Sequence, residues 1–146
     1  MAGKTAPSAL GATAAVEDYL ERILELVNTK GYARVVDIAE RLGISQASVT
    51  NMVQRLDAEG LINYEKYRGL TLSASGRSLA RDIALRHGVL ADFLALLGVD
   101  EETILHDVEG MEHHISPQTL EAIRRLNQYL RANPNVSGLM AATPPK

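Results

Sequence analysis

The stretch DIAERLGISQASVTNMVQRL, residues 37–56, decides the fold. Asp37 to Leu42 reads as a short helix, with Ile38, Ala39 and Leu42 on its inner face and Gly43 placed to end it. The residue just past a helix often needs a positive φ, which glycine adopts without steric penalty. Ser45 suits the N-cap of a following helix, because its hydroxyl accepts from an otherwise unpaired amide of the first turn. Val49, Met52, Val53 and Leu56 then repeat at i, i+3, i+4 and i+7. Two short helices joined in this way form a helix-turn-helix.

The flanking sequence extends the unit on both sides. Upstream, Val16, Tyr19, Leu20, Ile23, Leu24 and Val27 recur at helical spacing until Gly31. Downstream of Gly60 the period falls to two: Ile62 and Tyr64, then Leu70 and Leu72, alternate with polar residues around Lys66-Tyr67-Arg68-Gly69. That pattern predicts a β-hairpin with a basic tip, the wing of a winged helix. A long helix is predicted from Ser75 to Leu97, with Leu79, Ile83, His87, Leu90, Leu94 and Leu97 on one stripe and Gly98 as its stop. A shorter helix is predicted from Glu101 to His114, and Pro117 opens a last one through Leu120, Ile123, Leu126 and Leu130. The fold class is therefore mainly α: an N-terminal winged helix-turn-helix at 15–74, then an α-helical domain at 75–132. Residues 1–14 and 133–146, rich in Ala, Gly, Thr and Pro, read as flexible tails.

Composition narrows the function classes. The chain has 146 residues, a net charge of −3 and no cysteine. Disulfides, thiolate zinc sites, iron–sulfur clusters and a cysteine nucleophile are therefore excluded. No apolar run approaches the ~18 residues of a membrane span. The Ala-rich segment from Ser8 to Val16 is too weakly hydrophobic for a signal-peptide core and runs into Glu17 and Asp18, so a cytoplasmic location is expected. Charge is unevenly spread: residues 31–81 carry seven bases and five acids, residues 82–146 five bases and nine acids. A mildly basic module precedes an acidic one.

On the second helix of the helix-turn-helix, Ala47, Asn51, Gln54 and Ala58 point away from the apolar stripe, flanked by Ser48, Thr50 and Arg55. Small residues let such a helix sink into a major groove, and the longer polar ones reach base edges or phosphates. With the start of that helix and the wing tip, the candidate DNA contacts are Ser45, Gln46, Ala47, Ser48, Thr50, Asn51, Gln54, Arg55, Lys66 and Arg68. A small α+β packing unit with a merely solvated polar face, or a protein-binding winged helix, is the competing reading.

A second constellation lies in Glu109-Gly110-Met111-Glu112-His113-His114. On a helix Glu109, Glu112 and His113 fall within a ~100° arc, and His114 points away. Asp18 and Glu21 flank the first apolar stripe, and His87 lies within the long helix's stripe. Taken singly, His87 fits a core histidine, and Asp18 and Glu21 fit first-turn acids favoured by the helix dipole. The Glu109 cluster is harder to explain that way, since its acids repel one another unless a cation holds them. If all six converge, four carboxylates balance two divalent ions, and oxygen-rich ligation with some nitrogen and no sulfur favours an ion such as Mn²⁺. A metal-dependent enzyme fits less well. The helical zinc-protease motif is absent, Gly110 and Met111 stand where a di-iron bundle needs Glu three residues before a His, and no phosphate loop or nucleophile elbow occurs.

The order Glu17-Asp18-Tyr19-Leu20-Glu21, Val36-Asp37-Ile38-Ala39, Ser48-Val49-Thr50, Tyr64 to Gly69, Arg86-His87 and Asp107 to His114 resembles the manganese-transport regulators of the diphtheria toxin repressor family. The resemblance spans about Val16 to Leu130. It implies a homodimeric, Mn²⁺-activated repressor of manganese-uptake genes that binds a double-stranded DNA operator, with 75–132 as the metal-binding and dimerisation domain. It implies that Asp18, Glu21, His87, Glu109, Glu112 and His113 are the metal ligands, with Glu21 and Glu112 able to bridge two ions per subunit. Iron-responsive relatives carry Met and Cys at two of these positions; Asp18 and Glu109 stand there in this chain, which favours Mn²⁺ over Fe²⁺. Asn51 departs from the family, where Lys is frequent, so the usual operator sequence is not implied. No membrane and no small organic substrate are expected. The competing classes are a winged-helix regulator answering to Fe²⁺ or another signal, and a metal-dependent enzyme.

Overall fold

In a computed structural model, residues 13–65 and 67–141 are described, and the chain divides after Ile83 into two compact units. In the first unit, α1 (Ala14–Lys30) opens at Thr13, whose side chain accepts from the Val16 amide, and closes at Gly31 with a left-handed φ of 83°. Helix α2 (Val35–Leu42) starts two residues earlier than the periodicity marks and ends at Gly43, φ 66°. Helix α3 (Gln46–Ala58) opens at Ser45, whose hydroxyl accepts from the Ser48 amide at 3.2 Å. The three helices bury Val16, Leu20, Ile23, Leu26, Ile38, Val49 and Leu56 together, so the apolar spacings of the sequence become one core.

Strands β1 (Ile62–Glu65) and β2 (Gly69–Leu72) pair antiparallel, Ile62 opposite Leu72 and Tyr64 opposite Leu70. Ala33 adds an antiparallel bridge to Leu70, each amide donating to the other's carbonyl at 2.8 Å. The expected alternation fails at Tyr64, which is 53% exposed. Of β1 only Ile62 is buried; the strand has a neighbour on one side alone, and Tyr64 borders an open pocket with Val35 of α2 and Thr50, Val53 and Gln54 of α3. The hairpin is tied to the helix that follows it: Ser73 and Ser75 both donate to the Gly60 carbonyl, at 2.6 and 3.1 Å, and the Ser73 amide donates to Leu61.

Helix α4 (Ala74–Leu96) begins in the first unit, and its later turns belong to the second. There α5 (Glu101–Met111) is capped by Asp100, whose carboxylate accepts from the Thr103 amide at 2.9 Å. That hydrogen bond holds the Asp100 carboxyl below the ordinary range. Helix α6 (Pro117–Ala132) is capped by Ser116, with Pro117 in its first turn.

Three expectations about this unit need correction. The helix expected to reach His114 ends at Met111, so Glu112 is its cap and His113 lies in the following turn. On α6, Leu126 is 43% exposed and Asn127 is buried in its stead, the carboxamide donating to the Val89 carbonyl of α4 at 3.0 Å. The last segment, expected to be part of a flexible tail, forms α7 (Pro134–Ala141), whose Ala141 closes against Gly98 so tightly that a Cβ there would meet it at 2.9 Å. Proline favours a first helical position, which explains the new start straight after Asn133. The rest of both expected tails, 1–12 and 142–146, lies outside the described residues.

Candidate metal centre and nucleic-acid interface

Four of the six expected ligands belong to the second unit, and they gather around Glu112. This side chain is fully buried, and its Oε2 lies 2.8 Å from His87 Nδ1, which α4 supplies. Its other oxygen, Oε1, has no hydrogen-bond partner among the described residues and sits 3.7 Å from His113 Nε2. Glu109, one turn back on α5, offers a carboxylate oxygen that lies with one of Glu112 and a ring nitrogen of His113 within 4.8 Å of one another. His113 joins through the turn after Met111, not through the helical arc read from the sequence.

Burial pushes the Glu112 carboxyl above the ordinary carboxylate range, and the neighbouring negative Glu109 pushes the same way. The hydrogen bond from His87 and the charges of both histidines oppose the shift without cancelling it. A buried carboxylate with one unsatisfied oxygen, beside a second acid and two imidazoles, is a donor set for a divalent cation. Such an ion would take up the free oxygen and relieve the repulsion between the acids.

The remaining two expected ligands stand in the first unit. Asp18 and Glu21 are the fifth and eighth residues of α1, one turn apart, Asp18 half-buried and Glu21 buried. Neither is a first-turn acid; that place belongs to Glu17, which is itself almost completely buried. The dipole explanation therefore does not account for Asp18 and Glu21. Two buried charges escaped the sequence reading, Glu17 and Arg86. A signal existed for each: Glu17 lies seven residues before Leu24 and Arg86 seven after Leu79, both on apolar stripes.

The candidate DNA face belongs wholly to the first unit. On α3, Gln46, Ala47, Ser48, Thr50, Asn51, Gln54 and Arg55 are all exposed, as is Ser45 ahead of them. Several already have local work. Ser45 donates to the Ser48 hydroxyl at 2.9 Å, Thr50 donates to the Gln46 carbonyl at 2.9 Å, and Arg55 Nε donates to Glu59 at 3.1 Å. At the wing, Arg68 extends into solvent with Glu65 at 3.6 Å. Lys66 lies outside the described residues. The sequence reading passed over Tyr67, the wing-tip residue, which is 89% exposed and holds a left-handed φ of 75°. A bulky residue in that region is strained, a cost of ~1–3 kcal/mol.

Fold and site together define a two-part regulator, a winged-helix DNA-binding unit followed by a helical metal-binding unit. Residues 12–70 match the N-terminal DNA binding domain of the iron dependent repressor family, and residues 73–137 match that family's metal binding and dimerisation domain. The chain is 49% identical over 124 residues to the HTH-type transcriptional regulator MntR of Lysinibacillus sphaericus, covering 85% of this chain and 89% of that protein. It is 50% identical over 117 residues to the MntR of Bacillus subtilis, covering 80% and 82% respectively. Among solved structures, that of the manganese regulator SloR superposes with a TM-score of 0.69 at 30% identity over 78% of this chain, which spans 54% of the SloR chain. The chain belongs to the MntR family of HTH-type transcriptional regulators, within the iron-dependent repressors. No helix among the described residues is long and apolar enough to cross a membrane.

Proposed function

We propose that the protein is a cytoplasmic, homodimeric repressor that binds a double-stranded operator of manganese-uptake genes when loaded with Mn²⁺. The observation that carries this reading is the buried Glu112 carboxylate, with one oxygen unsatisfied and His87, Glu109 and His113 about it. The donors are oxygen and nitrogen without sulfur, a set suited to Mn²⁺ more than to softer ions. The relatives of Lysinibacillus sphaericus and Bacillus subtilis are MntR proteins, and SloR is a manganese regulator. In this reading Asp18 and Glu21 would join His87, Glu109, Glu112 and His113 in holding the metal, two ions per subunit. The protein is not an enzyme and takes no small organic substrate.

When bound, manganese supplies positive charge that offsets the four carboxylates. The residues do the rest. Glu112 and His87 hold α5 to α4 in the dimerisation unit, while Asp18 and Glu21 ride on α1, the helix against which α2 and α3 pack. In the two-fold dimer the two reading helices meet half-sites one helical turn, or a multiple of it, apart. Arg68 and Lys66 on the wing meet phosphates, and α3 enters the major groove with Ser45, Gln46, Ala47, Ser48, Thr50, Asn51, Gln54 and Arg55 toward the DNA. Dimer contacts come from α4 and α6, where Leu85, Leu126 and Tyr129 are apolar and exposed.

The test is one titration of the protein onto promoter DNA of a manganese-uptake gene, first with chelator and then with Mn²⁺. Tight binding only after Mn²⁺ is the expected result. Equal binding in both arms refutes metal activation, and Fe²⁺ acting where Mn²⁺ fails moves the protein to the iron-responsive class.

A further inference from the structure

The outward direction of α3, opposite Val49, Val53 and Leu56, is occupied by Ala47, Asn51, Gln54 and Ala58. The two alanines carry no polar side-chain atom. Ser45 and Thr50 direct their hydroxyl protons locally, to Ser48 Oγ and to the Gln46 carbonyl. Arg55 stands on the flank and is drawn toward the helix end by Glu59. Two carboxamides remain on the outward face, Asn51 and Gln54, both exposed and neither hydrogen-bonded among the described residues. Three residues apart, they are offset by ~4.5 Å along the helix. That spacing is close to the ~3.4 Å rise of a base-pair step.

A carboxamide presents one acceptor and one donor side by side. In the major groove adenine presents the complementary pair, N6–H donor and N7 acceptor, whereas guanine presents two acceptors. Against guanine, the carboxamide oxygen faces another oxygen or N7. Guanine is read by positively charged side chains, and the one that α3 carries, Arg55, stands on the flank and pairs with Glu59. We propose that Asn51 and Gln54 select adenine at two neighbouring base pairs in each half-site. This inference rests on the Mn²⁺-dependent DNA binding proposed above and adds the base identity that binding requires.

The test uses the full-length, Mn²⁺-loaded dimer and a pool of random duplexes, with bound sequences read after successive rounds of selection. The wild-type pool is expected to converge on half-sites with two adjacent or next-adjacent adenines, read on either strand. Replacing either adenine with guanine should weaken binding about 10- to 100-fold, the range of one bidentate contact. Asn51→Arg should change the preference at one of these positions from adenine to guanine and leave the other alone. Gln54→Ala should flatten the second position and leave the first. Both residues are exposed, and an unchanged circular-dichroism spectrum and dimer mass establish that the variants fold. Wild-type sites with guanine at those positions, or an Asn51→Arg pool identical to wild type, overturn the inference while leaving Mn²⁺-dependent binding intact. A wild-type protein that retains no duplex with Mn²⁺ present overturns both readings.

Discussion

Replacing Gly76 by alanine sets two physical effects against each other, and the structure decides the sign. Gly76 lies in the first turn of α4 with its amide donating to Ser73 Oγ at 3.1 Å. On propensity alone, alanine in place of a helical glycine stabilises by up to ~1 kcal/mol. At this position, however, an added Cβ would overlap the Leu61 carbonyl oxygen and lie 2.8 Å from its carbon. The obstacle is backbone, which cannot swing aside as a side chain does. Relief requires moving the Gly60–Leu61 segment away from α4, and three hydrogen bonds span that gap: Ser73 and Ser75 to Gly60, and the Ser73 amide to Leu61. At ~0.5–1.5 kcal/mol apiece, losing them costs about 2–4 kcal/mol. The net expectation is a destabilisation of roughly 1–3 kcal/mol after the propensity gain. Gly88, later in the same helix, has nothing within 4 Å of an added Cβ, so Gly88→Ala serves as the internal control and should be neutral or stabilising. Urea unfolding of the metal-free protein, followed by circular dichroism, reads both. Should Gly76→Ala prove as stable as wild type, the close approach of the hairpin to α4 is wrong.

The remaining predictions bear on the site. Glu112→Ala removes the residue around which the other donors gather, and it should abolish the Mn²⁺-dependent gain in DNA affinity, about 5- to 150-fold for a typical coupling, while sedimentation still shows a dimer. Asp18→Met replaces a hard oxygen donor by a soft thioether; the rank order of Mn²⁺, Fe²⁺ and Zn²⁺ in a DNA-binding assay should move away from Mn²⁺. Arg68→Ala should weaken binding to operator and random DNA alike and lower the slope of log affinity against log salt by about one. A loss confined to operator DNA would show that the wing reads sequence.

Much of this molecule is legible in the order of its residues. The turn between α2 and α3 announces itself because Gly43 and Ser45 have local conformational duties that few other residues perform. The stripes of α1 and α3 come through for the same kind of reason, since a helix that packs on one side must repeat every three or four positions. What escaped depends on contacts across the fold. Nothing local tells that Asn127 goes inward and Leu126 outward, because the deciding partner is a carbonyl of α4. Tyr64 alternates correctly with its neighbours, yet it borders an open pocket beside α2 and α3 in place of closing onto them. The donor cluster was readable as a list of residue types but not as a shape: Gly110 and Met111 do not break a helix, so periodicity ran the turn through His113, where the chain had already left α5. Buried Glu17 and Arg86 went unranked because charged residues on an apolar stripe read as errors in the pattern, not as members of it.

The sulfur-free donor set around Glu112 bears on how the protein tolerates oxidants. Peroxide converts a thiolate stepwise to sulfenic, sulfinic and sulfonic acids, and a sensor that grips its ion through cysteine goes blind along that ladder. Carboxylates and imidazoles have no such rungs, and this chain has no thiol anywhere. In the proposed reading, the groups that hold the cation therefore offer peroxide no sulfur to oxidise.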